Sequence, residues 1–93
     1  MKEGLVRKHI VFYGSVQGVG FRWRARNAAD HYSCTGWVRN EWDGSVSMEI
    51  QGTQENIDSV IMALEQGTFI RIENIDIQDR PIIENEYYFG TEY

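Results

Sequence analysis

The order of apolar periodicities predicts an α+β fold: a two-layer sandwich with two helices on one face of an antiparallel sheet. Two observations carry that class. Stretches of period two and of period 3.6 follow one another as β-α-β-β-α-β-β. Each helical stretch also has a single apolar stripe, so each needs one covered face and can leave the other to solvent. In the first strand, Val6 to Tyr13, Ile10 and Phe12 point to one side and His9, Val11 and Tyr13 to the other. A glycine-rich loop ends it. From Phe21 to Tyr32 the stripe is Phe21, Ala25, Ala28, Ala29 and Tyr32, with arginines on the polar side. Thr35 to Asn40 and Ser45 to Gln51 form a hairpin around Trp42-Asp43-Gly44, where Asp-Gly supplies the turn chemistry. Thr53 caps a second helix, Gln54 to about Gln66, with Ile57, Val60, Ile61 and Leu64 as its stripe and Gly67 available to end it. Beyond it, Ile70 and Ile72 alternate in one phase and Ile75 and Ile77 in the other. The strand therefore has a bulge near Glu73-Asn74 or starts at Ile72. Pro81 ends it, and Tyr87, Phe89, Thr91 and Tyr93 alternate in a short final strand. This succession is that of the split βαβ, ferredoxin-like sandwich.

Composition narrows the classes further. Ninety-three residues fit one domain over 1–93, with 42% hydrophobic residues, 13% aromatic residues and one proline, and without repeats or low-complexity stretches. A domain of this size buries only roughly 60% of the surface its unfolded chain exposes, so its stability margin is modest. The one cysteine, Cys34, has no partner for an intramolecular disulfide and reads as a small buried hydrophobe. No signal peptide precedes the first strand, whose apolar run Ile10 to Tyr13 is too short for a secretory core or a membrane span. The expectation is a cytoplasmic protein with no membrane partner. A net charge of −5 argues against nucleic acid. Its distribution is uneven: residues 1–40 hold seven Lys/Arg against two Asp/Glu, and residues 41–93 hold two against twelve. An anionic ligand would meet a favourable field in the first half, although ordinary solvated surface charge gives the same count.

That basic half contains Gly14-Ser15-Val16-Gln17-Gly18-Val19-Gly20-Phe21-Arg22, a three-glycine loop between a strand and a helix with an arginine just past its last glycine. Such a loop can turn several N–H groups toward one point. The helix N-terminus adds partial positive charge, and Arg22 adds a full charge in a planar donor fork. The Lys-Ser/Thr pair of a Walker A loop is missing, and the glycine spacing does not fit the dinucleotide fingerprint. The blander role for Arg22 is an ion pair with an acidic neighbour. For Asn40 it is a turn or strand end, where asparagine is common. Gln17 reads as a loop hydrogen bonder, and no role is assigned to Trp23, Arg24 or Arg26. His9 and His31 lie on separate elements, so a paired metal site is not expected, and no Ser-His-Asp frame is recognisable.

The loop run resembles the acylphosphatase signature G-x-V-Q-G-V-x-F-R at every fixed position. Gly36-Trp37-Val38-Arg39-Asn40 and Asp43-Gly44-Ser45-Val46 match a second family segment at the expected distance, and the aromatic tail Phe89 to Tyr93 also fits. The resemblance thus covers nearly the whole chain. It implies the ferredoxin-like fold and hydrolysis of the carboxyl-phosphate bond of acyl phosphates, releasing a carboxylate and inorganic phosphate. It further implies that the amides of Ser15, Val16, Gln17, Gly18, Val19 and Gly20, with Arg22, bind the phosphoryl group while Asn40 positions the attacking water. No cofactor and no metal are implied, and the expected partner of a monomeric chain is the small-molecule substrate alone. Two residues depart from the pattern. Glu41 stands where some relatives have threonine, and its carboxylate would repel substrate if it pointed inward. Ser33 stands where glycine commonly closes the first helix, so it is expected to adopt a left-handed conformation at a cost of about 1 kcal/mol. Two rival readings are a related domain acting on carbamoyl phosphate, as in hydrogenase-maturation carbamoyltransferases, and a ferredoxin-like ligand-binding module without catalysis. An RNA-binding version would need exposed aromatics on the sheet in a basic field, which the charge opposes.

Overall fold

Five strands and two helices succeed one another in the computed structural model, which describes residues 4–92. They are β1 (Leu5–Ser15), α1 (Phe21–His31), β2 (Thr35–Asn40), β3 (Val46–Thr53), α2 (Gln54–Glu65), β4 (Arg71–Arg80) and β5 (Phe89–Glu92). The sheet order is β4-β1-β3-β2-β5. β3 is central and pairs antiparallel with β1 and β2, and β1 also pairs antiparallel with β4. The sheet is not antiparallel throughout, as the sequence led us to expect, because β5 runs parallel to β2. Strand direction explains this. β4 leaves the sheet at the end where β1 begins, so a chain crossing to the far edge re-enters from that same end and runs alongside β2. The crossing segment, 81–88, lies over the face opposite the helices. There the Gln51 side chain donates to the Ile83 carbonyl at 3.0 Å and accepts from the Ile83 N–H at 2.9 Å. Thr35 Oγ1 and Arg7 Nη1 both donate to Glu86 Oε1, at 2.7 and 2.8 Å.

The helix-facing layer follows the anticipated alternation. Ile10 and Phe12 of β1, Val38 of β2, Val46, Met48 and Ile50 of β3 and Phe89 of β5 are buried beneath Phe21, Ala25, Ala28 and Ala29 of α1 and Ile57, Val60 and Leu64 of α2. Ile61 is only partly buried. Burying each larger aliphatic or aromatic side chain contributes about 1.5–3 kcal/mol. The Phe12 and Phe21 rings pack with centroids 4.9 Å apart, which ties the first residue of α1 to the sheet.

Several local expectations hold in detail. Thr53 Oγ1 accepts from the Asn56 N–H at 3.1 Å and caps α2. Ser33 has φ 57°, the left-handed conformation expected where glycine is usual. In the β2–β3 turn, Asp43 Oδ1 accepts from the Ser45 N–H at 2.9 Å and the Ser45 hydroxyl at 2.6 Å. The bulge falls on Glu73: Tyr13 opposes Asn74 and Gly14 opposes Ile72, so Glu73 has no partner on β1.

Other expectations are corrected. α1 ends at His31, with Tyr32 as its cap. Gly67 is not the left-handed terminator expected: α2 ends at Glu65 with Gln66 as its cap, and Gly67 lies beyond it without a positive φ, closely packed, since a Cβ there would lie 2.7 Å from Ile70 Cδ1 and 3.1 Å from Arg24 Cδ. Ser15 is the last residue of β1, opposite Arg71, so the free loop begins one residue later than the motif suggested. Tyr93, expected in the final strand, lies outside the described residues. Among the described residues no helix is long and apolar enough to cross a membrane.

Candidate functional site

Strand direction gathers the site at one end of the sheet. β1, β2 and β5 run the same way, so the loop leaving β1, the last residue of β2 and the end of β5 meet there, and α1 starts there on its way back. Asn40 and Phe12 both lie opposite Val46, on either side of β3, so Asn40 is level with the end of β1. Period two puts Asn40 on the same side of β2 as buried Val38, the side that faces the helices.

The loop itself is pinned at alternate points. Val16 is fully buried and Val19 packs against the core. Gly18 and Gly20 between and beyond them have φ values of 72° and 79°, which let the backbone double back where an L side chain would be strained. Gln17 fastens the loop to the hairpin, its Nε2 donating to the carbonyls of Glu41 at 2.5 Å and Ser45 at 2.9 Å. The bond to Glu41 fixes the loop beside the neighbouring Asn40. Gln17 is thus a hydrogen bonder, as its sequence context implied. Gly20 is the N-cap of α1 and brings no side chain to the helix N-terminus, whose first turn contains no acidic residue. Among the described residues, the N–H groups of 16–20 donate no hydrogen bond within the protein, and the first backbone bond after the loop runs from the Arg24 N–H to the Gly20 carbonyl at 3.0 Å. A helix start of this kind, with its positive dipole end open and an arginine in its first turn, suits an anion.

A cavity of about 320 Å³ opens at this point, lined by Val16, Gly18, Gly20, Phe21, Arg22, Trp23, Arg26, Asn40 and Thr91. Of the residues the sequence singled out, Val16, Gly18, Gly20, Arg22 and Asn40 are therefore brought together around one space. Ser15, Gln17 and Val19 are not part of its lining: Ser15 belongs to β1, Gln17 turns to the hairpin and Val19 packs inward. Sequence reading left Arg26 and Thr91 unassigned. Arg26 was legible in principle, because position i+4 from Arg22 lies on the same helix face. Thr91 was not, because only the parallel docking of β5 brings it to the end of β2.

Among the described residues no carboxylate side chain lines the cavity, although the chain carries a net charge of −5. Glu41 is the instructive case. Its carboxylate accepts from Arg39 Nε at 3.0 Å and from the Ser47 hydroxyl, on the sheet face away from the helices. Those two hydrogen bonds, Ser47's first, hold its carboxyl below the ordinary glutamate value. The departure from threonine therefore leaves the cavity without an added negative charge. Cys34 is buried, and burial pushes its thiol up to about 11, which removes it as a nucleophile at neutral pH. His9 Nδ1 meets Glu49 Oε2 at 2.8 Å. Among the described residues, no group of three or more His, Cys, Asp or Glu side chains is arranged to hold a metal ion.

The acylphosphatase family model matches residues 8–91 of this chain. A Clostridium beijerinckii acylphosphatase is 33% identical over 90 residues, covering 96% of this chain and all of that protein. One from Bifidobacterium longum is 42% identical over 81 residues, covering 86% of this chain and 84% of its own length. Among solved structures, the crystal structure of acylphosphatase from Bacillus subtilis superposes with a TM-score of 0.87 at 30% identity, covering 95% of this chain and 99% of the other.

Proposed function

This chain belongs to the acylphosphatase family, and we propose that it hydrolyses acyl phosphates with Arg22 and the 16–20 loop as the phosphate cradle and Asn40 as the residue that orients the attacking water. Family and fold support acyl phosphate hydrolysis as the activity. The observation that carries the finer reading is the meeting of Arg22, Asn40 and the 16–20 loop, whose amides have no internal acceptor among the described residues, at one cavity with no described carboxylate in its lining.

In this mechanism the phosphoryl oxygens accept hydrogen bonds from the loop N–H groups and the Arg22 guanidinium. As the acyl–oxygen-to-phosphorus bond breaks, charge spreads over those oxygens, and donors already in place stabilise it without reorganising. The Asn40 side-chain amide holds a water in line with the leaving carboxylate. The water oxygen bonds to phosphorus, its protons pass to solvent or phosphate, and the acyl group leaves as a carboxylate with the electron pair. Because a carboxylate is already a good leaving group, alignment and charge stabilisation are enough, and the reading calls for no metal, cofactor or covalent intermediate. We further infer one such domain over 1–93, working as a cytoplasmic monomer on a small-molecule substrate, without nucleic acid or membrane as partner.

Release of inorganic phosphate from acetyl phosphate by the purified chain tests the reading. Turnover well above the spontaneous rate is expected. A well-folded protein that binds phosphate without turnover would return the chain to the class of ligand-binding modules.

A further inference from the structure

Thr91 reaches the cavity from β5, and the parallel pairing sets its place there. It is the register partner of Val38 on β2, and Asn40 lies two residues beyond Val38. Period two puts Val38 and Asn40 on one side of β2, and Phe89 and Thr91 on one side of β5. Val38 and Phe89 are both buried beneath the helices, so Thr91 and Asn40 share that side. Strand spacing and rise put their Cα atoms about 8 Å apart, a gap that one water between the two side chains can bridge. Among the described residues neither side chain hydrogen-bonds to another group of the protein, and Thr91 is half-buried.

The attacking water asks for two acceptors. Its lone pair must face phosphorus, and it is held that way when both of its O–H groups donate elsewhere. Asn40 Oδ1 accepts one of them. Among the other described side chains of the lining, Arg22, Trp23 and Arg26 only donate and the rest are apolar or glycine, which leaves the Thr91 hydroxyl as the second side-chain acceptor.

We propose that Thr91 is a second water-holding residue: its Oγ1 accepts the O–H that Asn40 does not, and together they aim the water's lone pair at phosphorus. This rests on the function proposed above and adds a catalytic residue to it. Asn40 Nδ2 is then left to donate to the phosphoryl group. Neither side chain keeps a proton. As the water oxygen bonds to phosphorus, one of its protons stays on that oxygen and the other passes to a phosphoryl oxygen or to solvent. The bond from phosphorus to the acyl oxygen breaks, and the carboxylate leaves with the electron pair. Because Thr91 touches the nucleophile and not the substrate, it acts on kcat and leaves KM and phosphate binding to Arg22 and the loop.

Thr91→Val, close to threonine in shape but without the hydroxyl, tests this on acetyl phosphate. Its kcat should fall roughly threefold to tenfold, the worth of one neutral hydrogen bond, with KM, inhibition by inorganic phosphate and melting temperature near the parent's. Thr91→Ser keeps the hydroxyl and should retain most of the parent's kcat. In an Asn40→Ala background Thr91→Val should cost less than it does alone, because the water is already loosely held. Should Thr91→Val melt early, Thr91→Ala takes its place in the same comparison with Thr91→Ser. Parental kcat without the hydroxyl overturns the proposal. So does an equal loss in Thr91→Ser, a loss seen in KM or phosphate inhibition and not in kcat, or a full loss that persists in the Asn40→Ala background. Each of these, in a parent that turns over acetyl phosphate, overturns this inference alone, whereas a parent without turnover overturns the functional reading itself.

Discussion

Two arginines, Arg7 and Arg22, illustrate how the same side chain serves opposite ends. Arg7 lies on the sheet face away from the helices with its side chain 1% exposed, and the protein itself supplies its partners. Nε donates to Glu49 at 2.9 Å, and Nη1 donates to Glu86 at 2.8 Å and Gln51 at 3.3 Å. Burial works against its charge, but the bonds to Glu86 and Glu49 outweigh that and raise its pKa. Arg22 lines a cavity with Asn40, Arg26 and Thr91, and among the described residues no carboxylate side chain shares that lining. Where carboxylates surround the cation, it binds one part of the chain to another. Beside the cavity, Arg39 and Ser47 instead hold the Glu41 carboxylate on the far face of the sheet, which keeps its charge away from Arg22 and Asn40.

Breaking the comparison at its cavity end should have the largest effect. Arg22→Ala is expected to raise KM and lower kcat, with about 3 kcal/mol or more lost in kcat/KM for acetyl phosphate, and Arg22→Lys should recover little, because a point charge does not reproduce the fork. Steady-state kinetics on folded protein check this, and near-parental kinetics would remove Arg22 from the chemistry.

At the opposite face the effect should fall on stability. Arg7→Ala leaves Glu49 and Glu86 facing each other without their cation and should cost about 3 kcal/mol in denaturant melts, with kcat per folded molecule near the parent's. The same cluster predicts acid sensitivity. Burial pushes the Glu49 carboxyl up, but the bonds from Arg7 and His9 bring it below the ordinary glutamate value. A depressed folded pKa contributes stability above the unfolded value and loses it as pH falls through the folded one. Melts taken from pH 6 down to pH 3 should decline, and Glu49→Gln should flatten that decline.

Asn40→Ala should sharpen the contrast within the cavity, reducing kcat by about a hundredfold while phosphate affinity and melting stay close to the parent's. Asn40→Asp should be no better, since it replaces the amide donor with acceptors and adds negative charge facing phosphate. If both variants lose stability before turnover, Asn40 is a turn residue. The smallest effect is expected from Glu41→Thr: with the carboxylate directed to the far face, kcat/KM should change by less than about twofold, and a large gain would mean that its charge reaches the cavity.

Much of this was legible in one dimension. Alternation put Ile10 and Phe12 on one face, the phase change among the isoleucines left a bulge near Glu73-Asn74 or a strand start at Ile72 as the choices, and Thr53 announced its cap through its position before an amphipathic stripe. The loop motif brought Val16, Gly18, Gly20 and Arg22 to attention, and the second segment brought Asn40. Arg7 gave no such signal. A lone arginine in a strand reads as solvated, and its partly buried partners Glu49 and Glu86 lie forty-two and seventy-nine positions away. The parallel pairing of β5, and with it Thr91 in the cavity wall, was equally silent.

The chain by itself determined its periodicities, its turns and caps, the left-handed Ser33 and the composition of the glycine loop, because each depends on neighbours within one element. Tertiary structure alone decided that β1, β2 and β5 end on the same side of the sheet, that Glu41 turns away from the cavity, that Gly67 packs against Ile70 and Arg24, and that Arg26 lines the same cavity as Arg22. Those outcomes depend on the direction in which strands enter the sheet and on contacts between distant positions, and no local pattern encodes either.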